Sequence, residues 1–148
     1  MNWQMLRVND TDDCDGRKFS ALIRAVADAG NLAHAIVSGV SWADGELIEN
    51  PSNSLVTDVV SLIHAISHRV QFVWVDVFCF SDRPSLCDWN SIPTFVDQVR
   101  SCNCLIQACD NSYFFVITAD ASLIETAKQL FSDYALIEGD LDSFAFMF

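Results

Sequence analysis

Val70-Gln71-Phe72-Val73-Trp74-Val75-Asp76-Val77-Phe78-Cys79-Phe80 is the stretch on which the fold turns. It is built of β-branched and aromatic residues and is apolar at both odd and even positions. A strand of that kind has to be covered on both faces, so it belongs inside a sheet that carries layers on each side. The run is about half the length of a membrane-spanning helix and is broken by Asp76, so it does not read as a membrane segment.

Toward the C-terminus, Ser81–Asn90 reads as a loop, followed by a short helix over Ile92–Ser101 with Phe95, Val96 and Val99 facing inward. Cys104–Cys109 and Tyr113–Thr118 then read as two strands joined through the polar turn Asp110-Asn111-Ser112, which predicts a hairpin over about 104–118. Ser122 and Glu125 form an S-x-x-E capping box, with Asp120 as an alternative cap, opening a helix with Leu123, Ala127, Leu130, Phe131 and Tyr134 on one side. Ala135–Glu138 and Ser143–Phe148 are two further candidate strands, the second from the alternation of Phe144, Phe146 and Phe148.

Toward the N-terminus, Asn50-Pro51 reads as a cap and first turn of a helix reaching about Arg69, with Leu55, Val59, Leu62, Ile63 and Ile66 on one face. Leu32–Trp42 suits either a strand or a helix, and Trp42–Asn50 reads as an acidic loop. Arg17–Ala29 has helical spacing in Phe19, Leu22, Ile23 and Val26, with Gly30-Asn31 as its stop. Asn2–Val8 reads as an edge strand. Strands alternate with helices around an inserted hairpin, without repeat or linker. The expectation is one domain over residues 1–148, of α/β (α+β) class, with a mixed central sheet and flanking helices.

Composition sets bounds on function. Apolar types make up 51% of the 148 residues and charged types 19%, enough apolar mass for a core without staples. Six cysteines (Cys14, Cys79, Cys87, Cys102, Cys104 and Cys109) are read as free thiols, because no export signal is evident and Cys79 and Cys109 sit in apolar strands. That predicts a cytoplasmic protein. Twenty Asp and Glu against eight Lys and Arg give a net charge of −12, which disfavours nucleic acid and anionic membrane and speeds encounter with a basic partner.

His64 and His68 have the one-turn spacing of zinc enzymes, but position 65 is alanine where such enzymes place glutamate, and no third ligand follows. The spacing of Cys102, Cys104 and Cys109 matches no common zinc pattern, so no metal and no cofactor are expected. Thr11, Asp13, Asp15 and Gly16 can be laid on a calcium loop, whose bidentate anchor would then be Leu22; the pattern fails there. No nucleophile motif or phosphate-binding glycine loop is found, and no catalytic residue is assigned. Asp76, inside the most apolar strand, is expected to point to a polar edge or to pair with a cation such as Arg24 or Arg100; the alternative makes it an acid at the mouth of a cleft. Two loops combine carboxylates with tryptophan: Trp42, Asp44 and Glu46, and Asp82, Asp88 and Trp89. Together they are the candidate surface for gripping a basic protein; the alternative, for each loop alone, is a solvated loop with its tryptophan tucked under it.

In size, acidity and architecture the chain resembles the immunity proteins of bacterial toxin–immunity pairs, notably those of contact-dependent inhibition systems. The resemblance implies a tight one-to-one complex that blocks a cognate toxin, often a basic nuclease, with acids occupying the toxin's phosphate-binding subsites. Two other functions are carried alongside it. One is an accessory or adaptor domain binding another protein. The other is a small enzyme using His34, His64 or His68 with a carboxylate.

Overall fold

A computed structural model describes residues 1–42, 54–68 and 72–147. Among the described residues seven strands form one sheet: β1 (Trp3–Val8), β2 (His34–Trp42), β3 (Leu55–Asp58), β4 (Phe72–Phe80), β5 (Cys104–Cys109), β6 (Tyr113–Thr118) and β7 (Tyr134–Gly139). Their order across the sheet is β3-β2-β4-β5-β6-β1-β7. Every pairing among the described residues is antiparallel, where a mixed sheet was expected. The described residues also form five helices, α1 (Gly16–Gly30), α2 (Val59–Ile66), α3 (Leu86–Asn90), α4 (Phe95–Ser101) and α5 (Ala121–Lys128), with a 3-10 turn over Leu141–Met147. The fold is α+β.

Alternation along the strands sorts the core into two layers. Leu6, Val8, Val37, Val75, Val77, Ile106 and Val116 pack beneath α1, α2 and α5, with Phe19 of α1 stacked between Phe72 and Phe114. The residues between them, Met5, Ile36, Phe78, Leu105, Phe115 and Ile117, pack on the other face under α3, α4 and the 3-10 turn. Strand β4 is interior and covered on both sides, as its composition demands.

Local chemistry explains most element boundaries. The Asp15 carboxylate accepts from the N–H of Arg17 at 2.7 Å and opens α1. At the far end Asn31, not Gly30, takes the left-handed conformation (φ 52°). Gly30 is there for space: a Cβ would lie 2.9 Å from Leu32 Cγ. Asp110 and Asn111 both take φ 56°, and the Ser112 N–H donates to Cys109 O at 3.1 Å, which closes the β5–β6 hairpin.

Five expectations change. Asn2–Val8 is not an edge: β1 is held between β6 and β7, because the strand near the end of the chain returns to pair with the first. The helix expected from Asn50-Pro51 begins instead at Val59, since Leu55–Asp58 pairs with β2 and the Asp58 side chain caps α2 by accepting from Ser61 N at 2.8 Å. Asn50, Pro51 and Arg69 lie outside the described residues. Ser143–Phe148 is not a strand over its described part: Asp140 captures the N–H of Asp142 and Ser143, winding the segment into a 3-10 turn that buries Phe144. Ser81–Asn90 includes the short helix α3, capped by Ser85. At α5 the Asp120 side chain is the cap, while Glu125 turns to Lys128 at 2.7 Å.

Candidate functional site

Asp82 and Asp88 are exposed at the Phe80 end of β4, Asp82 just after the strand and Asp88 in the first turn of α3. What holds α3 there is Trp89. Its indole meets Phe78 edge-on at 4.5 Å between ring centroids and Phe80 at 5.9 Å, leaving the residue 3% exposed. Trp89 therefore fixes α3, and Asp88 with it, from below and offers no free ring to a partner, which favours the tryptophan tucked under its loop over the apolar anchor. The cause is Phe78 and Phe80, whose even positions point to the face α3 covers.

The second patch is elsewhere. Trp42 ends β2 opposite Phe72, while His34 at the start of β2 is opposite Phe80. The backbone of Trp42 is thus separated from the Asp82 end by nearly the whole of β4, roughly 26 Å at 3.3 Å per residue. Asp44 and Glu46 lie outside the described residues. The two tryptophan–acid segments are not brought together at Trp42 and Asp82.

Asp76 pairs with neither Arg24 nor Arg100. Its Oδ1 accepts from Gln107 Nε2 at 2.7 Å across the β4–β5 register, and Trp74 supplies a second side-chain hydrogen bond. Burial of the carboxyl outweighs these bonds and raises its pKa from 3.8 to about 6. The site is shaped by Gly39 (φ +60°), where a Cβ would come 3.3 Å from Asp76 Oδ2 and 3.2 Å from Trp74 Cδ1. Gln107 Oε1 is buried and has no partner among the described residues. Across this face the register runs Ser38, Asp76, Gln107, Phe115, Arg7 and Ala135, with the Arg7 guanidinium 5.1 Å from the centre of the Tyr113 ring. Gln107 was not singled out from the sequence; a glutamine in the apolar run Cys104–Cys109 was a signal, but only the register shows what it faces.

A groove of about 710 Å³ opens where α1 and α2 meet the start of β2. Arg24 and Asp28 line it from α1, Asp58 and His64 from the start and last turn of α2, and His34 from β2. Asp58 is held below the ordinary carboxylate range, first by the backbone and hydroxyl hydrogen bonds of Ser61 and then by the charge of His34. His34 Nδ1 is buried with no partner among the described residues. His64 lies in the last turn of α2, but His68 falls beyond the Ser67 cap, so the two imidazoles do not share one helix. Among the described residues no group of three or more His, Cys, Asp or Glu is placed to hold a metal ion.

The calcium-like loop uses its polar groups on the chain itself. Asp10 accepts from the Ser132 and Asp133 N–H groups, Thr11 donates to Ser112 O at 3.0 Å, and Lys18 bridges Asp10 O and Asp12. Asp12, Asp13 and Cys14 are all left-handed, with φ of 49°, 59° and 59°. No helix of the described residues is long and apolar enough to cross a membrane. No family model, curated protein or solved structure matches the chain.

Proposed function

We propose that the protein is a non-catalytic acidic binding protein that neutralises a basic partner, a toxin of the nuclease type, through a tight one-to-one complex. The observation carrying this is where the charge lies. Asp76 is the one buried carboxylate among the described residues, and the other described acids stand at the surface. The described ion pairs use only Arg17, Lys18, Arg100 and Lys128, which leaves most acids uncompensated. Such a surface attracts a basic protein over a distance of about 8 Å at physiological salt and can raise association rates about 10–10³-fold. Asp82 and Asp88, exposed at the Phe80 end of β4, are the acids assigned to the grip on that partner.

Co-purification from the native host followed by mass spectrometry identifies the partner, and its association rate is then followed against salt. Association should slow steeply as salt rises, while dissociation responds less. Asp82→Lys with Asp88→Lys should slow it further without unfolding the domain. An acidic partner, or a rate indifferent to salt, sinks the proposal.

The groove of His34, Asp58 and His64 supports a second reading, a small enzyme using imidazole and carboxylate. Under that reading His34→Ala or His64→Ala abolishes an activity while leaving partner affinity unchanged; under the first reading both variants retain full neutralising capacity.

A further inference from the structure

Strand β7 closes the sheet on one side and pairs, among the described residues, only with β1. The direction of its free groups can be worked out. The Asn9 N–H donates to Asp133 O at 2.9 Å, which marks 9 and 133 as a hydrogen-bonded pair in the antiparallel ladder. Such pairs alternate. The peptide groups of Ala135, Ile137 and Gly139 therefore turn toward β1, and those of Tyr134, Leu136 and Glu138 turn away from it.

Edges of this kind are normally blunted by lysine, proline, a bulge or brevity. β7 has none of these: Tyr-Ala-Leu-Ile-Glu-Gly pairs with β1 over six consecutive residues without a shift in register. Its apolar side chains are also uncovered, Tyr134 at 40%, Leu136 at 37% and Ile137 at 44% exposure, with Leu130 exposed near its start. The strand is bracketed by acids. Asp133 precedes it, Glu138 lies in it, and Asp140 and Asp142 follow. Lys128, over the Tyr134 ring at 6.0 Å, is paired with Glu125, and Arg100 is paired with Asp97 and Asp142.

We infer that β7 is an acceptor edge for an extended segment of the basic partner, which adds as an eighth strand by hydrogen-bonding the outward groups of Tyr134, Leu136 and Glu138. An alternating segment would lay its apolar side chains beside Ile137 on one face of the sheet and its lysines or arginines beside Glu138 on the other. A second copy of this chain suits the edge poorly, because antiparallel pairing about Leu136 would bring acidic ends together on two molecules of charge −12 each. The inference rests on the basic-partner reading and adds its place of contact.

The test uses the full chain and two synthetic seven-residue peptides of alternating valine with lysine or with glutamate. Amide hydrogen exchange is read by NMR at low salt. The lysine peptide should slow exchange at Tyr134, Leu136 and Glu138 by about tenfold or more at saturation, in line with one new backbone hydrogen bond at each. The glutamate peptide should have no effect. Leu136→Pro removes an outward N–H while sparing the β1 ladder, and should weaken lysine-peptide binding by at least about tenfold, with the Met5 and Arg7 amides as the check on folding. Leu136→Lys, which leaves the backbone intact, should weaken it too. The edge proposal is overturned if protection appears elsewhere, if no peptide binds, or if both variants bind as the parent does. It is likewise overturned if the parent runs as a dimer with these amides already protected. Lysine-peptide binding at another surface would leave the basic-partner reading standing, whereas an acidic native partner, or one captured at a rate indifferent to salt, removes that reading.

Discussion

Replacing Asp76 by asparagine should make the protein more stable at neutral pH, and the gain should depend on pH in a defined direction. In the unfolded chain Asp76 titrates near its ordinary value of 3.8; in the fold, burial raises it to about 6. Below about pH 3 the carboxyl is protonated in both states and contributes no difference. Between the two values the unfolded state loses its proton first, so stability falls as pH rises. Above about pH 6 the folded state carries a buried carboxylate whose cost, at about 1.4 kcal/mol per unit of pKa, comes to about 3 kcal/mol. The residue is 7% exposed, so solvent screening relieves little of it. Asparagine has the same shape, and its Oδ1 can keep the bond from Gln107 Nε2. Its new amide loses the Trp74 interaction but can reach toward Gln107 Oε1, an acceptor with no partner among the described residues. Urea unfolding of parent and Asp76→Asn, followed by tryptophan fluorescence from about pH 3 to pH 8, should give a difference near zero at the acid end. That difference should rise to about 2–3 kcal/mol above pH 7. A difference that does not change with pH, or a variant less stable than the parent at pH 7, refutes the reasoning.

Trp89→Ala should cost about 3–5 kcal/mol in urea unfolding, as for a large aromatic removed from a core, whereas an exposed binding residue would cost little. Thiol labelling of the native protein should modify Cys87 first, because it is exposed. Cys14, Cys79, Cys102 and Cys104 are buried and their thiols are pushed up, Cys14 to about 11 and Cys79 to about 12, so they should react only on unfolding; fewer than six free thiols in denaturant would count against this. Asp120→Ala should destabilise by about 1 kcal/mol through loss of the α5 cap, while Glu125→Gln should leave thermal stability nearly unchanged, since Glu125 bonds Lys128 and not the helix start.

What the sequence determined by itself is what local chemistry determines. The two-sided apolar character of Val70–Phe80 required an interior strand. The spacing of Phe19, Leu22, Ile23 and Val26 required α1, and the polar turn at Asp110-Asn111-Ser112 required the β5–β6 hairpin. Each depends on residues within one turn or one strand of each other. The charge that motivates the proposed function is likewise a property of composition alone.

The rest depended on contacts between residues far apart in the chain. β1 looked like an edge because nothing in Trp3–Val8 announces that β7, some 130 residues later, will pair beside it. For the same reason the true edge at β7, and the acids around it, could not be read beforehand. Leu55–Asp58 could sit in a helix by its own preferences, and its pairing with β2 decided otherwise. The alternation of Phe144 and Phe146 suited a strand until Asp140 bent the chain. Trp89 read as an anchor for a partner because the sequence does not say that Phe78 and Phe80 both point to the face α3 covers. Asp76 found Gln107 in place of a cation because the partner of a buried group is set by strand register. Register is decided by the whole sheet, and no stretch of it shows in the residues on either side of Asp76.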